Sequence, residues 1–238
     1  MTDPTSAHYL VRQSPRATRV SLKVSPEGVL EVVIPRGFDR GLIPGILDDK
    51  RDWIEKATRR MRQRQILLKA QPRLPTRISL QAVGEMWRVA YRGTSSSRVI
   101  VTERAGHQLT VSGDVANVAS CRAALRRWMA RRARKHLVPW LRRISQQDKL
   151  SFTKATIRGQ KTRWGSCSSR GTISVNYKLL FLPHGLVRYV LIHELCHTRH
   201  MNHSRAFWAL VQRKEPDCKE IKAQLRGAWH LVPRWCSH

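Results

Sequence analysis

The sequence of 238 residues predicts an α+β fold, and three observations carry that prediction. Short apolar–polar alternations punctuated by Gly and Pro recur over residues 8–35 and 78–111, as strands and turns require. A long stripe of apolar residues at helical spacing runs from about Val115 to Gln147. Finally, the apolar run Leu186–Ile192 leads into His193-Glu194-Leu195-Cys196-His197, a pattern that belongs on a buried helix. The expected organisation is a β-rich N-terminal region over residues 1–114 with one helix near 40–66, followed by a second domain over 115–238.

Within residues 8–35, Tyr9-Leu10-Val11, Val20 to Val24 and Val29 to Ile34 read as a small antiparallel sheet, with a turn at Pro26-Glu27-Gly28. After Pro35 and Gly37 the spacing becomes helical, with Leu42, Ile46, Trp53 and Ile54 as expected core contacts and a basic tail from Lys56 to Arg64. Pro72 and Pro75 mark a connector. Ile78 to Leu80, Trp87 to Tyr91, Val99 to Val101 and Leu109 to Val111 predict four further strands. The long helix then buries Leu125, Trp128, Leu137, Trp140, Leu141 and Ile144, with Pro139 as a kink. Beyond it the spacing predicts a strand at Thr156 to Arg158, a Gly-Ser turn over residues 165–171, and a strand over Thr172 to Tyr177. The His-Glu helix and a closing helical region with Phe207-Trp208 complete the chain.

On a helix, His193 and His197 stand at i and i+4, so both imidazoles leave one face a single turn apart and can reach one ion. Glu194 projects beside them, where a general base for a metal-activated water is needed. Accident would produce this H-E-x-x-H pattern in roughly one such sequence in a hundred, so its context matters. Catalytic zinc takes three protein ligands and keeps one position open. His200 continues the i, i+4, i+7 series, whereas His203 lies at the spacing of an extended pattern in which the chain breaks and turns back. Asn202 tolerates a left-handed conformation and could make that turn. Spacing alone leaves both histidines open, with His203 ahead.

Arg163-Trp164-Gly165-Ser166-Cys167-Ser168, Ile173 to Tyr177, His193 to His197, Asn202-His203-Ser204 and Phe207-Trp208 together resemble the YgjP-like (DUF45) metallopeptidases. Lys50-Arg51-Asp52-Trp53-Ile54 resembles that family's N-terminal helix motif, so the likeness spans most of the chain. It implies Zn²⁺ held by His193, His197 and His203, with Glu194 as catalytic base in peptide hydrolysis. It also implies a zincin-like domain, in which the strand before the metal helix lines the cleft and an extended peptide could pair with it. More distantly, the layout is similar to SprT-like proteases, which act on proteins bound to DNA. Candidates for stabilising the oxyanion are Tyr177, Asn176, Arg163 and Arg205. Asn202 and Ser204 flank the third histidine and could orient it, while Trp164 reads as a packing residue.

The net charge of +29 predicts attraction to polyanions. Fourteen Lys or Arg and a single acid, Asp148, lie between Arg122 and Arg163, so non-specific DNA or RNA binding through the 122–163 region is an expected partner interaction. The alternative to a peptidase is thus a nucleic-acid-binding protein with a structural or vestigial zinc site. The five cysteines, Cys121, Cys167, Cys196, Cys218 and Cys236, form no C-x-x-C, and buried reduced thiols are expected. Met1 to Ser6 lack the features of a secretory signal and no apolar run reaches membrane-spanning length, so the expected location is cytoplasmic.

Overall fold

The computed structural model describes residues 9–25, 28–70 and 74–236. The chain divides into two compact units between residues 71 and 72. That boundary differs from the expected one after residue 114, because the sheet over residues 77–113 shares its core with the long helix that follows it. Pro72 and the first two residues of the Pro26-Glu27-Gly28 turn lie outside the described residues.

In the first unit, β1 (Tyr9–Gln13), β2 (Ser21–Val24) and β3 (Leu30–Ile34) form a sheet of order β1-β3-β2. The expected antiparallel sheet is mixed: β2 runs antiparallel to β3, but β1 pairs with it in parallel. β3 has the most continuous apolar burial of the three, through Leu30, Val32, Val33 and Ile34, and so takes the central position. A 3-10 turn at Arg40–Leu42, α1 (Ile43–Asp49) and α2 (Arg51–Ala70) replace the single expected helix. Asp39 caps the turn by accepting from the Gly41 N–H at 2.8 Å. The core contact passes to Ile43 and Leu47, one turn apart, which pack with Val32 and Ile34. Leu42 and Trp53, expected inside, are 57% and 47% exposed.

The second unit begins with β4 (Arg77–Leu80), β5 (Glu85–Gly93), β6 (Ile100–Arg104) and β7 (Gln108–Gly113), in the order β4-β5-β7-β6. Both outer pairs are antiparallel and the central β5–β7 pair is parallel. Alternate residues Ile78, Leu80, Trp87, Val89, Leu109 and Val111 are buried, the period-two pattern of a sheet with one covered face. They join a core with the buried side of α3 (Val118–Asp148), where Leu125, Trp128, Met129, Leu137 and Leu141 are all 0% exposed. Asn117 caps α3 by accepting from the Ser120 N–H. Trp140 is half-buried and stacks on His184. Pro139 lies inside the helix on its exposed side, where the Lys135 carbonyl it leaves unpaired can reach water.

One polar cluster sits at the sheet–helix junction. Arg132, 8% exposed, donates to both carboxylate oxygens of Glu85 at 2.5 and 2.9 Å and lies 4.7 Å from the centroid of Trp87. Trp87 Nε1 donates to Glu85, and Trp128 Nε1 donates to Glu103. Three neighbouring aromatic and cationic groups thus fasten β5 and β6 to α3.

β8 (Lys154–Arg158), β9 (Gly165–Cys167) and β10 (Thr172–Asn176) form the third sheet among the described residues, ordered β8-β10-β9. The expected Gly-Ser turn over 165–171 begins as β9, which pairs antiparallel with β10 in the register Val175 to Gly165. Tyr177 opens a 3-10 turn rather than ending the strand. Three helices follow: α4 (His184–Cys196), α5 (Arg205–Lys214) and α6 (Cys218–Gly227). An Arg188–Glu215 ion pair joins α4 to the residue after α5, and Lys214 meets Asp148 at 3.1 Å. Among the described residues, no helix is long and apolar enough to cross a membrane.

Candidate metal centre

α4 is buried along most of its length, with Leu186, Val187, Tyr189, Val190, Leu191 and Ile192 between 0 and 6% exposed. That burial fixes its rotation, and His193, Glu194 and His197 consequently emerge together at its C-terminal end. His197 is the C-cap, and the chain then turns through Arg199 to Asn202 and brings His203 back. The turn uses no left-handed Asn202: among described non-glycine residues, only His107 and Lys149 have positive φ. One donor nitrogen from each of His193, His197 and His203 lies within 4.8 Å of the others. His200, the other candidate, contributes its backbone carbonyl instead, 3.1 Å from His197 Nδ1.

These imidazoles suit a metal. Nε2 of His193 and Nε2 of His203 are 3.2 Å apart, close to the roughly 3.3 Å that two nitrogens adopt around tetrahedral zinc with bonds of about 2.0–2.1 Å. Burial, aided by His197, His203 and Lys222, pushes His193 down to about 3 and leaves it neutral, as a ligand must be. His197 is lowered too, again mainly by burial. Nε2, which faces His203, is the nitrogen of His193 available to an ion, while its Nδ1 is buried with no hydrogen-bond partner among the described residues. The His200 carbonyl, by accepting from His197 Nδ1, directs the Nε2 lone pair of that ring outward.

α5 supplies the support. Ser204 is its N-cap, accepting from the Phe207 N–H at 3.3 Å, so its hydroxyl serves the helix rather than the expected orientation of His203. Phe207, fully buried, stacks on His197 at 4.4 Å, and Trp208 lies nearly parallel to His203 at 5.6 Å. Neither contact was visible in the spacing.

Glu194 is 6% exposed. Burial pushes its carboxyl up to about 8 while the Arg163 guanidinium pulls the other way, and a bound cation would act in the same sense as Arg163. Gly165 of β9 faces it closely: a Cβ there would sit 2.7 Å from Glu194 Cγ and 2.8 Å from Oε1. A glycine inside a strand can mark such a close approach.

The cleft beside the histidines, about 400 Å³, is lined by β9, Arg163, Glu194, the three imidazoles and Met201. Of the oxyanion candidates, only Arg163 reaches it. Asn176 is fully buried and spends its amide on the Gln160 and Arg163 carbonyls. Tyr177 is buried against Gly159, and neither it nor Arg205 is in the lining. β10 is occupied on both sides by β8 and β9, so edge strand β9, rather than the strand immediately preceding the metal helix, forms the cleft wall. Trp164 stacks on Trp229 at 3.8 Å. Cys167 lines the cleft with its thiol pushed up to about 11, chiefly by burial, and Cys196 is fully buried away from it.

A buried helix that presents two imidazoles and a carboxylate to a third imidazole has the donor set of a metal-dependent hydrolase. The chain belongs to the YgjP-like family, whose metallopeptidase-domain model matches residues 18–228. It is thus a metallopeptidase, and membership implies a divalent metal ion. Among solved structures it is similar to the zymogen of abylysin from Pyrococcus abyssi, at 28% identity and a TM-score of 0.33 over 36% of this chain and 87% of that one. It is also similar to the zymogen of jannalysin from Methanocaldococcus jannaschii, at 20% identity and 0.34 over 37% and 92%. None of the curated proteins compared matches.

Proposed function

We propose that the protein is a zinc-dependent, zincin-like peptidase in which His193, His197 and His203 hold the ion and Glu194 is the general base. The observation that carries this reading is the convergence of three imidazoles beside a buried carboxylate. Zinc, when bound, supplies the Lewis acidity that lowers the pKa of a water and polarises the scissile carbonyl. Glu194 takes the proton from the attacking water and returns it to the departing amide nitrogen. Its burial excludes competing solvent, and Gly165 lets β9 close over it. Arg163 is the group positioned to stabilise charge on the carbonyl oxygen, and the free edge of β9 suits pairing with an extended substrate.

Single alanine substitutions test the ligand set. His193→Ala, His197→Ala and His203→Ala are expected to lose stoichiometric zinc by elemental analysis, together with peptidase activity. His200→Ala, which keeps its carbonyl, retains both. Loss of zinc in the His200 variant with retention in the His203 variant would overturn the assignment.

A second reading concerns the basic face. Arg131, Arg134, Lys135 and Arg142 are exposed along one side of α3, which carries no acid before Asp148. A helix face with one sign of charge suits phosphates, and we propose non-specific nucleic-acid binding there. A purely structural metal site has no need of Glu194, so the peptidase reading takes precedence over a binding protein with a vestigial site. Four phosphate contacts would weaken binding about a hundredfold between 50 and 200 mM salt. The absence of any gel shift with DNA or RNA at low salt would remove this reading.

A further inference from the structure

A second cavity, of about 270 Å³, lies next to the metal cleft and shares Arg163, Gly165, His193 and Glu194 with it. Its remaining walls are Trp164, Tyr189, Val190 and Leu225, with Lys222 beside them. Tyr189 and Val190 stand one helical turn before His193 and Glu194 respectively, so the apolar floor begins about 5.4 Å along α4 from the proposed base. Trp164 is held rigid by its stack on Trp229, and Leu225 of α6 closes the far side. Lys222 is steadied by its ammonium lying 3.9 Å from the centroid of Trp208.

We infer that this cavity is a specificity pocket that takes one bulky apolar side chain of the substrate, from a residue flanking the scissile bond. The inference rests on the peptidase reading for the meaning of that bond. Continuity with the cleft identifies the occupant, because a side chain entering here leaves its own backbone beside Glu194. The walls offer aromatic and aliphatic surface for a Leu or Phe side chain. Arg163 and Lys222 place two positive charges at the same pocket, so Lys and Arg side chains are refused by charge as well as by desolvation.

The test uses blocked Ala-based hexapeptides in which one position is changed to Gly, Leu, Phe or Lys. Titration calorimetry against zinc-loaded Glu194→Gln protein separates binding from turnover. Leu and Phe peptides are expected to bind at least about tenfold more tightly than the Gly and Lys peptides. Leu225→Trp in that background should abolish the advantage by filling the cavity. Leu225→Ala, which does not ask the fold to accept a larger residue, should move the preference from Leu toward Trp. Equal binding across the series, or an unchanged preference in both Leu225 variants, would overturn the pocket. Selective binding by the Glu194→Gln protein, with no cleavage of any of the peptides by the zinc-loaded parent protein, would leave the pocket standing and sink the peptidase reading. Cleavage without side-chain preference would do the reverse.

Discussion

Glu194→Gln is expected to retain the metal and lose turnover by at least about a hundredfold, the range general-base catalysis supplies. Gln is nearly isosteric with Glu and occupies the same buried site without a basic oxygen, so the three imidazoles beside it are undisturbed. Zinc content by elemental analysis should therefore match the parent protein while kcat collapses. Gly165→Ala approaches the same group from the other side. A methyl 2.7 Å from Glu194 Cγ forces either the carboxylate or β9 to move, and a displacement of about 1 Å in such a site is worth on the order of a hundredfold. Its zinc should also persist. Undiminished peptidase activity in Glu194→Gln would exclude Glu194 as the base.

The largest effect on stability is expected from Arg132→Ala, at about 3–5 kcal/mol, because it strands a buried carboxylate. Glu85 and Arg132 are 11% and 8% exposed at their side chains, and the pair joins β5 to α3. Burial raises the Glu85 carboxyl, but hydrogen bonds from Arg132 and Trp87, together with the nearby charges of Arg132 and His136, outweigh it and hold the group below its ordinary 4.5. A carboxyl lowered in the folded state contributes stability in full above its ordinary value and loses it as pH falls through the lowered one. Arg132→Ala removes the largest part of that counterweight and leaves the Trp87 hydrogen bond, so Glu85 takes up a proton at higher pH and the folded variant recovers part of its deficit in acid. Urea denaturation should accordingly show the gap between the two proteins greatest near neutral pH and narrower below about pH 4.5. A gap that is constant across that range would mean the pair is not the origin of the loss.

Strands and long helices were legible because period-two and helical patterns report which face of an element is buried, and α3 followed its apolar stripe closely. Partner choice was less legible. Nothing in Tyr9 to Val11 says that β1 pairs in parallel with β3, since pairing direction depends on which strand claims the centre. Likewise β9 reads locally as a Gly-Ser turn, and becomes a strand only because β10 lies alongside to accept its hydrogen bonds. Leu42 and Trp53 fit a helical stripe, but Ile43 and Leu47 fill the space beside Val32 and Ile34. The boundary after residue 71 reflects a core shared by residues distant in sequence, such as Trp87 and Trp128.

At the candidate centre, the sequence alone determined that two imidazoles and a carboxylate share one helix end, because a 3.6-residue period fixes that geometry locally. It also carried the likeness to a family, through motifs spread along most of the chain. Only the tertiary structure decided that His203 rather than the His200 ring joins them, that Phe207 and Trp208 back the rings, and that Gly165 admits β9 against Glu194. Those contacts join segments separated by turns and by other elements, and their distances follow from how buried faces pack, which no spacing along the chain encodes.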